Sequence, residues 1–247
     1  YGEIFASIID LGRAEPFIVA ITDLIKRLAV DSLHIVGDIF DRGENPDKIM
    51  ELLINHHNAD VQWGNHDIQW MGAHMGNEAS ILSVVELSLK YGNEDLLEES
   101  YGISLRKLSV YAAEYMDDDP RFLPAGADPA AAGEEARRIA RMRKAAFLMQ
   151  LKAEGHIIER RPEYGMEGRN ILRLIDYGRG TFCGEKLNDA SFPGVDPSDP
   201  LRFSQEEREV IEGLKRSFRS SEKLSRHISF LVRRGSAYKI CNNNLIF

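Results

Sequence analysis

Two short stretches of this sequence carry residue types suited to phosphoryl chemistry. The first is Gly37-Asp38-Ile39-Phe40-Asp41-Arg42-Gly43. It holds two carboxylates and a guanidinium between glycines that permit a tight turn. Carboxylate oxygens are natural bridges between hard divalent cations. A planar guanidinium matches a phosphate through two parallel hydrogen bonds. The second stretch is Gly64-Asn65-His66-Asp67. Asn65 offers a neutral carbonyl oxygen to a metal. His66 is of the side-chain type that titrates near neutral pH, which suits a general acid. Taken singly, an Asp-Arg turn is usually a salt-bridged loop and an Asn-His pair usually has no role. Together, each behind a predicted strand and about one helix apart, they point to one phosphate-ester site built from Asp38, Asp41, Arg42, Asn65 and His66.

The flanking sequence supplies elements to position them. The apolar run Leu33-His34-Ile35-Val36, ending at Gly37, predicts a buried strand, and Val61-Gln62-Trp63 before Gly64 predicts another. Between them Asn45-Pro46 opens a helix with Ile49, Met50, Leu52 and Leu53 as its apolar positions. Upstream, Glu15 to Ala29 predicts an amphipathic helix with Pro16 in its first turn and Phe17, Ile21, Leu24, Ile25 and Leu28 along one face. Helix and strand alternating over short connections is the pattern of a parallel sheet covered by helices, hence an α/β fold. Ligands bind such sheets at the carboxyl ends of the strands, and both loops open on that side.

After Asn77 the pattern turns helical, over Ser80 to Tyr91, Ser104 to Tyr115 and Glu134 to Glu154. The stretch from Asp117 to Gly133, rich in Asp, Pro, Ala and Gly, is expected to be a mobile loop. Apolar runs around Tyr177-Gly178-Arg179-Gly180 predict a hairpin, and Asn188 to Pro200 a Pro/Asp loop. Ser204-Gln205-Glu206-Glu207 fits a helix-capping box, with helical pattern on to Arg234. Ala237 to Cys241 and Leu245 to Phe247, around Asn242-Asn243-Asn244, predict a second hairpin. The expected organisation is a core over 1–77, a helical insertion or cap over 78–158, and a mixed segment over 159–247 that returns to the core sheet.

The 247 residues are 43% hydrophobic and 28% charged, which fits a globular chain and not a disordered one. The net charge of −8 argues against a nucleic-acid partner and leaves a small phosphorylated metabolite open. Cys183 and Cys241 lie in unrelated contexts and read as reduced thiols of a cytoplasmic protein. No apolar run reaches membrane-spanning length and no signal-peptide pattern is present, so no membrane partner is expected.

GDIFDRG followed by GNHD resembles the calcineurin-like metallophosphoesterases, whose middle motifs are GDxxDR and GNH[DE]. LHIVGDIFDRG, VQWGNHDIQWMGA, IIERRPEY, FPGVDPSDP and SEKLSRHISFL are similar to the bacterial class III fructose-1,6-bisphosphatases. The similarity covers nearly the whole chain and is weakest over Asp117 to Gly133. It implies a metallophosphoesterase-type sheet with a helical insertion, and roles for the residues above. Asp38 would bridge two metals and Asn65 would bind one of them. His66 would protonate the leaving sugar oxygen, with Asp41 orienting it, and Arg42 would hold the substrate phosphate. Manganese is the expected metal ahead of magnesium. The implied reaction is hydrolysis of the C1 phosphate of fructose 1,6-bisphosphate, a gluconeogenic step, and a homo-oligomer is compatible with it.

The chain departs from the family pattern in an informative way. No Asp-x-His motif occurs in it, and the late histidines, the first in a His-Gly pair expected directly after Phe247, are absent. With Tyr1 at one end and an apolar run at the other, the expectation is an internal fragment of a longer enzyme, inactive or nearly so by itself because metal sites need their full ligand count. The competing expectations are another metallophosphoesterase, acting on phosphoproteins or dinucleoside polyphosphates, and a non-catalytic module that keeps the fold as a binding surface.

Other residues have blander expectations. His34 reads as a satisfied core histidine, His56 and His57 as helix-end residues, and His74 as a helix-face residue that could approach the site. Arg137, Arg138, Arg141, Arg143 and Lys144 read as a solvated helix face, the sharper alternative being contact with the second phosphate of a bisphosphate or with an anionic effector. Arg160 and Arg161 are a similar case. Trp63 and Trp70 should pack beneath the GNHD loop.

Overall fold

A computed structural model describes residues 1–188 and 192–246. The part of the expected Pro/Asp loop at 189–191, and Phe247 at the end of the second hairpin, lie outside them. Among the described residues, three parallel strands form the sheet that matters for the site: β1 (Leu33–Ile35), β2 (Ala59–Gln62) and β6 (Gly235–Ser236), in the order β1-β2-β6. Leu33 pairs with Ala59 and Ile35 with Val61, so β1 and β2 run level and their following loops leave together. Helix α3 (Pro46–Ile54) crosses between them, with Pro46 in its first turn as the sequence predicts.

Two helices precede the sheet, α1 (Gly2–Asp10) and α2 (Ala14–Ala29). The apolar stripe of α2 forms a helix as expected, but neither helix buries a residue. Leu24, Ile25 and Leu28 on α2 stand 51%, 59% and 78% exposed, as does Val36 after β1 at 77%. The β1 residues are only half buried. The expectation of a buried strand there is therefore corrected: β1 is the edge strand of its sheet and only half buried, although Leu33 and Ile35 pack against the main core.

From Glu78 to Arg160 the described structure is helical. It comprises α5 (Glu78–Lys90), a π-helical turn at Leu96–Ser100, α6 (Arg106–Tyr115), a single 3-10 turn at Pro120–Phe122, and α7 (Glu134–Arg160). These helices hold most of the core, with Ile81, Leu82, Leu89, Leu108, Met142 and Met149 wholly buried. Burying one such side chain is worth about 1.5–3 kcal/mol, so this layer carries much of the stability. The stretch expected to be a mobile loop is tied down in its first half. Lys144 donates to Asp117 at 2.6 Å, Arg141 to Asp118 at 2.8 Å, and Arg143 to the Leu123 carbonyl at 3.1 Å. The basic run on α7 is thus ion-paired within the protein, with Lys144 buried while Arg137 keeps the exposure expected of a solvated face. Arg138 also pairs with Glu135, and Arg143 with Glu86 at 2.7 Å.

The last third begins with α8 (Ile171–Leu174) and a small antiparallel sheet of β3 (Ile175–Asp176), β4 (Thr181–Phe182) and β5 (Glu185–Lys186), β3 and β4 joined around the predicted Tyr177–Gly180 turn. Helices α9 (Gln205–Ser220) and α10 (Glu222–Arg234) then return the chain to β6. The capping box forms as read from sequence: Glu207 N–H donates to Ser204 Oγ at 3.1 Å and Ser204 N–H to Glu207 Oε2 at 2.8 Å. The same carboxylate has a second use that the sequence hides. Lys152, fully buried, donates to both Glu207 oxygens at 2.8 Å and to the Gly194 carbonyl at 2.6 Å. The chain ends in the predicted hairpin, β7 (Lys239–Cys241) and β8 (Asn244–Ile246), turned by Asn242 and Asn243 at φ +49° and +62°. Two left-handed residues are what a tight hairpin turn requires, and Asn tolerates them. Among the described residues no helix is long and apolar enough to cross a membrane.

Candidate active site

The two level strands release their loops at one edge of the sheet, and the loops touch backbone to backbone. Gly37, at φ +90°, leaves no room for a side chain: a Cβ there would strike the Gln62 carbonyl and lie 2.6 Å from Gly64 N. A Cβ on Gly64 would strike the Asp38 carboxylate. Glycine is needed at both positions for close approach, and at Gly37 for its dihedral as well.

Asp67 joins the loops. It is fully buried and accepts from Asp38 N–H at 2.8 Å, Ile39 N–H at 3.0 Å and Gly64 N–H at 3.0 Å. Burial raises its carboxyl above the ordinary range, and the converging backbone N–H groups pull it back. The last bond also caps α4 (Asn65–His74), whose positive end therefore faces the site. Sequence reasoning assigned Asp67 no role. The available signal was its place three residues after Gly64, where a carboxylate closes a capping box.

All five predicted residues lie at this edge. Asp38, left-handed at φ +52°, is exposed, and its Oδ1 accepts from His66 N–H at 3.1 Å. His66 Nε2 lies 3.1 Å from Asp41 Oδ1, within ion-pair reach, although its direction falls short of a hydrogen bond. Arg42 Nε lies 3.3 Å from the same oxygen. Asp41 therefore sits between the imidazole and the guanidinium. Arg42, at φ +59° and 66% exposed, rests its guanidinium 5.4 Å from the centre of the Tyr91 ring. Asn65 is exposed and its amide makes no hydrogen bond among the described residues. Beneath the loops, Trp70 stacks on Phe40 with ring centres 4.7 Å apart. Trp63 donates to the Leu231 carbonyl at 2.9 Å, tying the second loop to α10.

The other histidines stand apart. His74, at the far end of α4, meets the Phe218 carbonyl at 3.0 Å and does not approach the site. His34 is only half buried, with Nδ1 3.2 Å from Asp60 and Nε2 without a partner among the described residues, so it is not the satisfied core histidine expected.

As a metal site the arrangement is partial. Among the described residues Asp38 keeps one carboxylate oxygen free of protein hydrogen bonds, and the Asn65 carbonyl is open, so two oxygen donors suit a hard cation. Among the described residues no group of three or more His, Cys, Asp or Glu could hold a metal. The residues present do not by themselves make a complete metal site.

A family model described as Firmicute fructose-1,6-bisphosphatase matches residues 1–247. The protein named fructose-1,6-bisphosphatase class 3 from Bacteroides fragilis is 48% identical, over 99% of this chain and 38% of its own length. Its namesakes from Clostridium botulinum and Listeria innocua are 44% and 46% identical, over 100% of this chain and 38% and 39% of their own lengths. The chain thus spans well under half of the relatives it matches. No solved structure matches it. On the match along its whole length, the chain belongs to the Firmicute fructose-1,6-bisphosphatase family.

Proposed function

We propose that this chain is the part of a fructose-1,6-bisphosphatase that carries its general acid and one phosphate-binding arginine. The full-length protein would hydrolyse the C1 phosphate of fructose 1,6-bisphosphate, in the cytoplasm and as a gluconeogenic step. The observation that carries the reading is the convergence of Asp38, Asp41, Arg42 and His66 on one sheet edge, in a chain of this family. The parallel sheet would then be part of a metallophosphoesterase-type sheet.

In this reading Asp38 and Asn65 would hold divalent metal, manganese by preference, together with further ligands. The metal would supply Lewis acidity toward a phosphoryl group and an activated water at neutral pH. The chain's own residues do the rest. Asp41, beside Nε2, orients the His66 ring, which leaves Nδ1 to carry a proton to the leaving sugar oxygen. Arg42 offers its two terminal nitrogens, without a partner among the described residues, to the phosphate oxygens. The positive end of α4 favours the same anion.

The test is phosphate release from fructose 1,6-bisphosphate by the full-length protein with manganese. Turnover that falls by about 100-fold or more in His66→Ala, the scale of a general acid, supports the reading. Turnover in the His66→Ala variant equal to wild type sinks it.

A further inference from the structure

A bisphosphate carries a second phosphate away from the reacting one, and no residue has yet been assigned to it. The arginines and lysine of α7, the natural candidates by sequence, are committed to carboxylates of the protein. Arg137 and Arg141 face Asp118, Arg143 faces Glu86, and Lys144 faces Asp117 and Asp119. Arg160 lines a cleft with His156 and Arg208 near Gly76, at the end of α4 remote from His66.

The end of α5 is different. Helix α5 stops at Lys90, and the next residues reach the catalytic loop. The Tyr91 ring lies under the Arg42 guanidinium, and Asn93 Nδ2 donates to the Arg42 carbonyl at 3.2 Å. Lys90 Nζ stands over the same Tyr91 ring, also 5.4 Å from its centre. One aromatic ring therefore gathers two cations beside the site. Lys90 is half buried and has no carboxylate partner among the described residues. Two like charges drawn to one ring repel, and an anion spanning them relieves that repulsion. Such an anion has its charge in two separated groups, as a bisphosphate does.

We propose that Lys90 binds the phosphate remote from the reacting one, with Tyr91 as the platform that fixes its position relative to Arg42. This rests on the bisphosphatase reading above. Lys90 thereby makes the site prefer a bisphosphate over a sugar that carries only the reacting phosphate. Tyr91 and Asn93 are positioning residues: they act through Arg42 and Lys90 and need not touch the substrate.

The experiment compares kcat/KM for fructose 1,6-bisphosphate and fructose 1-phosphate in the full-length protein. In Lys90→Gln the ratio of the two values falls about tenfold or more, the scale of a charged hydrogen bond, and the loss appears in KM for the bisphosphate. Lys90→Arg restores much of the ratio. Tyr91→Leu lowers it while Tyr91→Phe, which keeps the ring face, does not. A cation that only complements the end of α5 would change stability and leave the ratio alone. An unchanged ratio in Lys90→Gln overturns the inference while leaving the bisphosphatase reading intact. A wild-type protein that hydrolyses neither substrate overturns the reading itself, and the inference with it.

Discussion

Replacing Asp67 with alanine should cost this chain about 2–4.5 kcal/mol. The carboxylate accepts three backbone N–H bonds, from Asp38, Ile39 and Gly64, in a fully buried position. Hydrogen bonds to a charged group contribute about 1.5–3 kcal/mol each, and a buried donor left unpaired costs about 1–3 kcal/mol. Three such bonds are not additive, because the loops relax and water can reach the outermost donor, so the sum is cut to about half. Asp67→Asn should fall between wild type and alanine, since the amide keeps one acceptor but turns an NH2 group toward backbone donors. The assay is urea unfolding followed by tryptophan fluorescence, to which Trp70 on Phe40 reports from beneath the loops. Because these bonds hold Asp38 against His66, full-length Asp67→Ala should also lose catalysis out of proportion to its stability. A loss under 1 kcal/mol would refute the view that Asp67 joins the two loops.

Three further outcomes follow from the packing. Glu207→Ala removes the partner of fully buried Lys152 and should destabilise the chain by about 3–5 kcal/mol in urea unfolding, while a joint Lys152→Met, Glu207→Leu change should recover part of that loss. His227 is wholly buried, with Nε2 2.9 Å from Glu51 and Nδ1 2.9 Å from the Tyr101 hydroxyl. Burial holds its pKa below the ordinary 6.5, against the pull of Glu51. The unfolded chain therefore takes up this proton first, so stability should be fully present above pH 6.5 and decline as pH falls from there toward the lowered folded value. Urea midpoints measured across that range should show the decline in wild type and a flatter profile in His227→Gln. Finally, the exposed faces of α1 and α2 should make the isolated chain bind a hydrophobic dye or self-associate, and Leu24→Glu with Leu28→Glu should reduce both in light scattering.

The site was more legible in the sequence than the fold around it. Glycine, acid and arginine at fixed spacing single out Asp38, Asp41 and Arg42 as candidates, and the close backbone approach that gathers them admits only glycine at Gly37 and Gly64. The capping box at Ser204 and the Asn-turned hairpin were legible for the same reason: local geometry dictates them. Asp67 was overlooked because its partners are backbone groups of two loops, which no side-chain pattern displays. The Lys152–Glu207 pair and the anchoring of Asp117 to Leu123 on α7 are long-range, and charge spacing along one helix does not reveal them. The burial of β1 was misjudged because an apolar run states what can be covered, not what covers it.

The third strand of the sheet has a consequence for how the chain assembles. β1 and β2 pair across a short helical crossover, but β2 meets β6 only after the whole helical segment and α10 have been made, Val61 pairing with Gly235. Closing so long a loop is entropically costly and slow unless the intervening residues have already condensed. During synthesis, α5 to α7 can therefore form their own core first, while β2 waits with one edge open. Trp63 gains its Leu231 partner only when α10 emerges, so the loop that carries His66 is among the last parts of this chain to become rigid.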